Sequence, residues 1–218
     1  MVGNEALSES IQDYLKGVYQ LRAEHGSVTV SALARRLGVS QASASAMVKK
    51  LAALELVAGR APYRGVELTD AGERIALEVI RHHRLLELYL AETLGLSIDA
   101  VHEEADRLEH VLSEELEARI DSALGYPTHD PHGDPIPNAD LEVASGTALR
   151  RLVELAAGDA AVVRRVPDLD SSVLRQLSDL GLVPGTTVRL LREEPLTVAV
   201  AGEEHVVPRE LAALVGVD

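Results

Sequence analysis

Pro127, Pro131, Pro135 and Pro137 fall within residues 127–137, and no helix runs through such a stretch. Each proline lacks an amide donor, and its ring collides with the turn before it. The stretch therefore divides the chain into two unlike parts. Upstream, apolar residues recur at helical spacing. Downstream, from Thr147, they come as short strand-like runs: Val162-Val163, Thr187–Leu191, Leu196–Val200 and His205–Val207. Among these lie one helical segment, Ser172–Leu180, and the turn Val183-Pro184-Gly185. The expected fold is mainly α with a small β-barrel over residues 147–218.

The upstream part begins with an amphipathic helix over residues 8–25, with Ile11, Leu15, Val18, Tyr19 and Leu21 on one face and Gly26 as its stop. A short helix follows over residues 30–37 and breaks at Gly38-Val39. Ser40 is then placed to cap a helix running to about Leu54. Ala34, Val39, Ala44, Val48 and Leu51 supply the apolar contacts for two helices joined by a tight glycine turn, which is the helix-turn-helix pattern. The first turns of the second helix, Gln41-Ala42-Ser43-Ala44-Ser45-Ala46, are small and polar. A helix that approaches base edges needs that. Two apolar runs, Leu56–Ala58 and Val66–Leu68, then flank residues 59–65 as a hairpin with Arg60 and Arg64 at its tip. Together these predict a winged helix-turn-helix over residues 1–70. Base contacts fall to Ser40, Gln41, Ala42 and Ser43, and phosphate contacts to Arg36, Lys49, Lys50, Arg60 and Arg64.

The net charge of −14 argues against a nucleic-acid binder until its distribution is considered. Residues 22–64 carry seven basic and two acidic side chains, whereas residues 65–125 carry five basic and fifteen acidic ones. The chain has one surface for an anion and another for a cation. Three helices are expected in the acidic segment: one capped by Thr69 or Asp70 and running to Leu94, one from Ser97 to about Leu112, and one from Ser113 to Leu124. They form the expected helical domain of residues 71–140. With no Phe, no Trp and five Tyr among 218 residues, the cores must be aliphatic. No apolar run of membrane-spanning length and no charged-then-apolar leader is evident, so a cytoplasmic protein without a membrane partner is expected.

The acidic helices carry a constellation. His83 and Glu87 are four apart, as are His102, Asp106 and His110, with Glu109 one position away. Residues at this spacing share a helix face, and two antiparallel helices would bring the six together. The chain has no Cys, which excludes thiolate sites and leaves imidazole and carboxylate donors. Those suit Mn(II), Fe(II), Co(II), Ni(II) or Zn(II). Glu103 and Glu104 are taken as solvated charges, His82 as pointing about a hundred degrees from His83, and His129 and His132, which could chelate, as polar loop residues. A metal-dependent hydrolase needs a further nucleophile or base near the ion, and none is evident. His-Glu-x-x-His is also missing, so no enzyme is expected. A small-molecule-responsive regulator would use the same side chains as ordinary polar packing.

Several segments resemble the diphtheria-toxin-repressor family of metal-dependent regulators: Tyr14–Tyr19, His83-Arg84-Leu85-Leu86-Glu87, His102–His110, Gly133-Asp134-Pro135-Ile136-Pro137 and Leu177–Gly185. The last segment is similar to the family's third domain, a barrel of the Src-homology-3 or FeoA kind. The resemblance implies a homodimeric repressor of double-stranded operator DNA that controls metal homeostasis. It also implies two metal sites, one of His83, Glu87 and His102, the other of Asp106, Glu109, His110 and Asp13. Iron-type members carry a thioether at the Asp13 position and a thiol at the Asp106 position. Carboxylates at both favour Mn(II) first and Fe(II) second, with Co, Ni, Zn and Cd able to enter in vitro. Small manganese-type members carry a further Glu where this chain has Lys16. Asp168 or Asp170 is expected to stand in for the ligands that iron-type barrels lend to the first site.

Overall fold

A computed structural model describes residues 7–58, 65–144, 148–168 and 171–218. Contacts divide the chain into two compact units. The first holds residues up to His83 together with Leu108–Glu114 and Pro137–Glu142; the second holds Arg84–Arg107, Glu115–Ile136 and Val143–Asp218. No described helix is long and apolar enough to cross a membrane.

The first unit opens with α1 (Glu9–His25), which Gly26 ends at φ 72°, its N–H bonding the Arg22 carbonyl. A positive φ is where glycine costs least. Next come α2 (Val30–Arg36) and α3 (Gln41–Ala53). Thr29 and Ser40 cap them, each hydroxyl accepting an amide three residues on, from Ala32 and Ser43, at 3.1 Å. Leu15, Val18, Leu33, Ala44, Val48 and Leu51 lock the three helices into one aliphatic core. Val39 departs from expectation. It is 37% exposed, and its contribution is a backbone N–H to the Ala34 carbonyl that closes the turn. Val57 pairs with Leu68 as the base of the expected wing. The tip, with Arg60 and Arg64, lies outside the described residues.

Thr69 settles the start of α4 (Asp70–Leu94): its hydroxyl accepts from Gly72 N–H and donates to the Glu55 carbonyl. Helix α5 is shorter than the sequence predicts, running Val101–Leu108, and α6 spans Glu114–Ala123. Residues 109–111 are turn, with Val111 N–H on the Leu108 carbonyl, so Glu109 and His110 lie beyond the helix. The expected in-register row of His102, Asp106 and His110 is therefore broken after Asp106. Glu109 is 1% exposed and its carbonyl meets the His82 ring, a tertiary demand that an uninterrupted helix would not meet.

In the second unit, β1 (Arg150–Arg151), β2 (Ala160–Arg165), β3 (Thr187–Glu193), β4 (Leu196–Val200), β5 (Glu203–Val206) and β6 (Gly216–Val217) form an antiparallel sheet in the order β1-β6-β2-β3-β4-β5. Helices α7 (Ser171–Asp179) and α8 (Arg209–Ala212) accompany it. Strand β3 alternates Val188 and Leu190 inward with Thr187 and Arg189 outward. Strand β4, hydrogen-bonded on both edges, is buried almost throughout.

The proline-rich stretch is an ordered loop of this unit. Asp130 Oδ1 accepts the amides of His132 and Asp134, and the His132 carbonyl accepts Val166 N–H at the end of β2. Gly133 sits at φ +87°, where a Cβ would fall 1.8 Å from the Arg164 carbonyl oxygen. Gly133→Ala therefore combines a strained backbone with a clash against an immovable group. We expect it to cost about 3 kcal/mol, read as a lower urea midpoint at unchanged slope.

Candidate metal centres

The first unit gathers Asp13 from α1 and Glu109 and His110 from the turn after α5, with one ligand atom of each lying within 4.8 Å of the others. His110 Nε2 is 3.0 Å from Asp13 Oδ1 and 3.5 Å from Glu109 Oε1. Its Nδ1 is 2.5 Å from the side-chain oxygen of Gln12, which is 2% exposed. An amide oxygen only accepts, so Nδ1 carries a hydrogen, and Nε2 faces two carboxylates, donating to them when the ring is protonated and offering its lone pair to a cation when it is not. That arrangement suits a cation held among them. Burial disfavours the imidazolium, but the hydrogen bond to Asp13 and the charge of Glu109 outweigh it, and the His110 pKa is raised. Glu109 also meets His83 Nδ1 at 2.5 Å and Lys16 at 2.7 Å. His82, Glu78 and Glu114 bring one ligand atom each within 4.8 Å nearby, and His82 Nδ1 donates to the Glu109 carbonyl at 3.0 Å.

The second unit gathers Glu87 from α4 with Asp130 and His132 from the proline-rich loop, again within 4.8 Å, and all three are buried. His132 Nδ1 lies 3.4 Å from Glu87 Oε2 and 4.0 Å from Asp130 Oδ1. His132 Nε2 donates to the Ile98 carbonyl at 3.3 Å, so Nδ1 is the face it offers inward. Neither His132 Nδ1 nor Asp130 Oδ2 has a hydrogen-bond partner among the described residues. Buried polar atoms are rarely left so, and an ion is one of the groups that satisfies them. Nitrogen and oxygen donors without thiolate fit a hard or borderline divalent cation. His102 Nδ1 joins Glu87 Oε1 at 3.1 Å, and Asp106 lies 3.5 Å from His102 Nε2. Burial raises Asp130 to a pKa of about 7, with Glu87 and Asp134 adding to it. His132 rises to about 9 because Glu87 and Asp130 outweigh the opposing effect of burial. Arg84 flanks the loop, 3.5 Å from Asp130 Oδ2, while Arg165 pairs with Asp134 at 2.7 Å.

Of the residues expected from sequence, Glu87 stands with His102 and Asp106, and Asp13 with Glu109 and His110. His83 serves Glu109 and Lys16. Asp130 was missed and His132 was set aside as ordinary loop polarity, because their burial comes from contacts distant in sequence. Gln12 was missed as well, since nothing marks an orienting amide in advance. Asp168 is half-buried, and its charge acts on His132 and Asp134; Asp170 lies outside the described residues. Of the residues expected to contact DNA, Ser40, Gln41, Ala42, Ser43, Lys49 and Lys50 are exposed. Arg36 is held by Glu24 and by Gln20 at 3.2 Å.

The chain matches three family descriptions in succession. Residues 6–66 match the iron-dependent repressor N-terminal DNA-binding domain, residues 69–138 the metal-binding and dimerisation domain of the same repressors, and residues 150–218 the FeoA domain. It is 36% identical to the iron-dependent repressor IdeR of Mycobacterium tuberculosis, over 97% of this chain and 98% of that protein. It is 30% identical to the diphtheria toxin repressor of Corynebacterium diphtheriae, with the same coverage. Among solved structures, a manganese-dependent transcriptional repressor in complex with manganese superposes at a TM-score of 0.83, with 38% identity over 95% of this chain and 98% of that one. ScaR with bound Zn2+ follows at 0.76 and 32%, with the same coverage. With a DNA-binding domain, a metal-binding and dimerisation domain and a FeoA domain in that order, the chain belongs to the family of iron- and manganese-dependent transcriptional repressors.

Proposed function

We propose that this chain represses transcription in response to Mn(II), with Fe(II) as the second candidate, by binding a double-stranded operator as a homodimer. Winged-helix, helical and barrel domains fall at residues 1–70, 71–140 and 147–218. Asp13, Glu109 and His110 would hold one ion. Glu87, Asp130 and His132 would hold another, with His102 and Asp106 beside it. Hard carboxylates and no thiolate support manganese, the member of the series that gains most from oxygen donors. Structures similar to this chain carry manganese, zinc or cadmium, which supports a site for a divalent cation without choosing among these metals.

One observation carries the regulatory reading: Asp13 sits on α1, 3.0 Å from His110 Nε2. Helix α1 packs through Leu15 and Val18 into the core that also seats α2 and α3, so whatever fixes Asp13 fixes the recognition helix. A bound divalent ion supplies the positive charge that lets the carboxylates of Asp13 and Glu109 stay together. Without the ion only Lys16 and the His110 ring offset them, and the DNA-competent arrangement loses part of its advantage. Ser40, Gln41, Ala42 and Ser43 face outward for bases, and Lys49 and Lys50 for phosphate.

Asp13→Ala is expected to weaken Mn(II)-stimulated operator binding about tenfold or more while leaving salt-dependent, nonspecific DNA binding intact. Mobility shifts titrated with Mn(II) and, anaerobically, Fe(II) check this. Equal operator binding with and without chelator would remove the proposal. Activation by far less Fe(II) than Mn(II) would reverse the metal order.

A further inference from the structure

Lys16 is 8% exposed, an unusual place for an ammonium group. Its Nζ lies 2.7 Å and 3.1 Å from the two carboxylate oxygens of Glu109 and 3.1 Å from His83 Nδ1. The Glu109 oxygens and His83 Nδ1 are metal donors in chemical type. Glu109 Oε2 and His83 Nδ1 are themselves 2.5 Å apart, a hydrogen-bond distance, and the Lys16 ammonium lies against both. Asp13 and Lys16 are three apart on α1 and so share a face. Asp13 brings a carboxylate to His110, and Lys16 brings a cation to Glu109, so α1 grips the Glu109–His110 turn at two points of opposite sign.

We propose that Lys16 is a tethered competitor for the divalent ion, setting the metal concentration at which the Asp13–Glu109–His110 centre fills. Its ammonium holds Glu109 and His83 in the metal-free chain. A divalent ion that takes up Glu109 must displace that ammonium or tolerate it a few ångströms away, at a cost in affinity either way. The inference rests on the metal-binding role proposed above for Glu109.

The test is calorimetric titration of chelator-stripped, full-length protein with Mn(II), in the Glu87→Gln background so that the other centre contributes little. Lys16→Gln is expected to bind Mn(II) about tenfold more tightly than its parent, although its metal-free form melts lower. Lys16→Arg, which keeps the charge, should stay within about threefold. A lysine that merely supported the fold would lower the melting temperature without tightening metal binding. Equal or weaker Mn(II) binding by Lys16→Gln overturns the proposal. Should that variant fold poorly, Lys16→Leu is held to the same criterion. His110→Ala in the same background separates the two failures. If it leaves Mn(II) binding unchanged, the metal centre itself is wrong; if it abolishes binding while Lys16→Gln changes nothing, only the competitor role is.

Discussion

Glu87→Gln should lower Mn(II) affinity at the second centre by roughly a hundredfold, about 3 kcal/mol by the scale of removing one partner from a buried charge cluster. Glu87 is fully buried and meets His102 at 3.1 Å and His132 at 3.4 Å, so this α4 carboxylate joins α5 to the proline-rich loop. Glutamine keeps the volume and one carbonyl oxygen, and packing should survive. The charge that faces His132 is lost. Isothermal titration of Mn(II) into the metal-free variant reads the effect directly, and mobility shifts should require correspondingly more Mn(II) for operator binding. Unchanged affinity would mean that the Glu87–Asp130–His132 group is ordinary polar packing. Glu87→Ala is the harsher version, and any further loss it shows reports the cavity rather than the charge.

How much of this was legible in the sequence depended on how local each signal was. The helix-turn-helix could be read because its punctuation is local: Gly38 at φ 64°, Ser40 bonding Ser43 three residues on, and a small polar face on α3. Val39 was misassigned because an apolar residue beside a tight turn is as easily spent on backbone geometry as on the core. The end of α5 was not legible either. The apolar period runs smoothly past Leu108, and what stops the helix is Glu109 turning inward toward Lys16 and His83, 93 and 26 residues away along the chain. His132 and Asp130 were lost to the same cause. A histidine among prolines reads as exposed until Ile98, 34 residues upstream, accepts its ring hydrogen and Gly133 is pressed on the Arg164 carbonyl. Strands β1 and β6 hold two residues each, too few for an alternation to register. Asp13 came only from resemblance, since a single aspartate on an amphipathic helix carries no signature of its own.

Metal-free protein should lose stability steeply between neutral and alkaline pH, and Mn(II) should restore it. His132 of the second centre drives this, and Asp130 extends the same trend below neutrality. His132 is raised from 6.5 to about 9, so in the folded chain it holds its proton where the unfolded chain has released it. A raised pKa gives stability that is fully present below 6.5 and lost as pH climbs through about 9. Asp130, raised from 3.8 to about 7, acts in the same direction over the lower window, because the folded site prefers the neutral acid. His110, raised by Asp13 and Glu109 against the effect of burial, adds a loss in the same sense. The His132 shift alone is worth about 3 kcal/mol between pH 6 and pH 10, a large part of the stability of an ordinary domain. Metal binding reverses the slope because divalent ions bind the deprotonated donors, so affinity rises as the protons leave. Urea denaturation of chelator-treated protein at pH 6, 7.5 and 9, repeated with saturating Mn(II), checks both halves. Metal-free midpoints should fall with pH, and the Mn(II)-induced gain should grow. His132→Gln should flatten the metal-free dependence above neutrality. A metal-free stability that rose from pH 6 to pH 9 would show that His132 is neutral in the fold, and that its Nδ1 faces Glu87 for a reason other than charge.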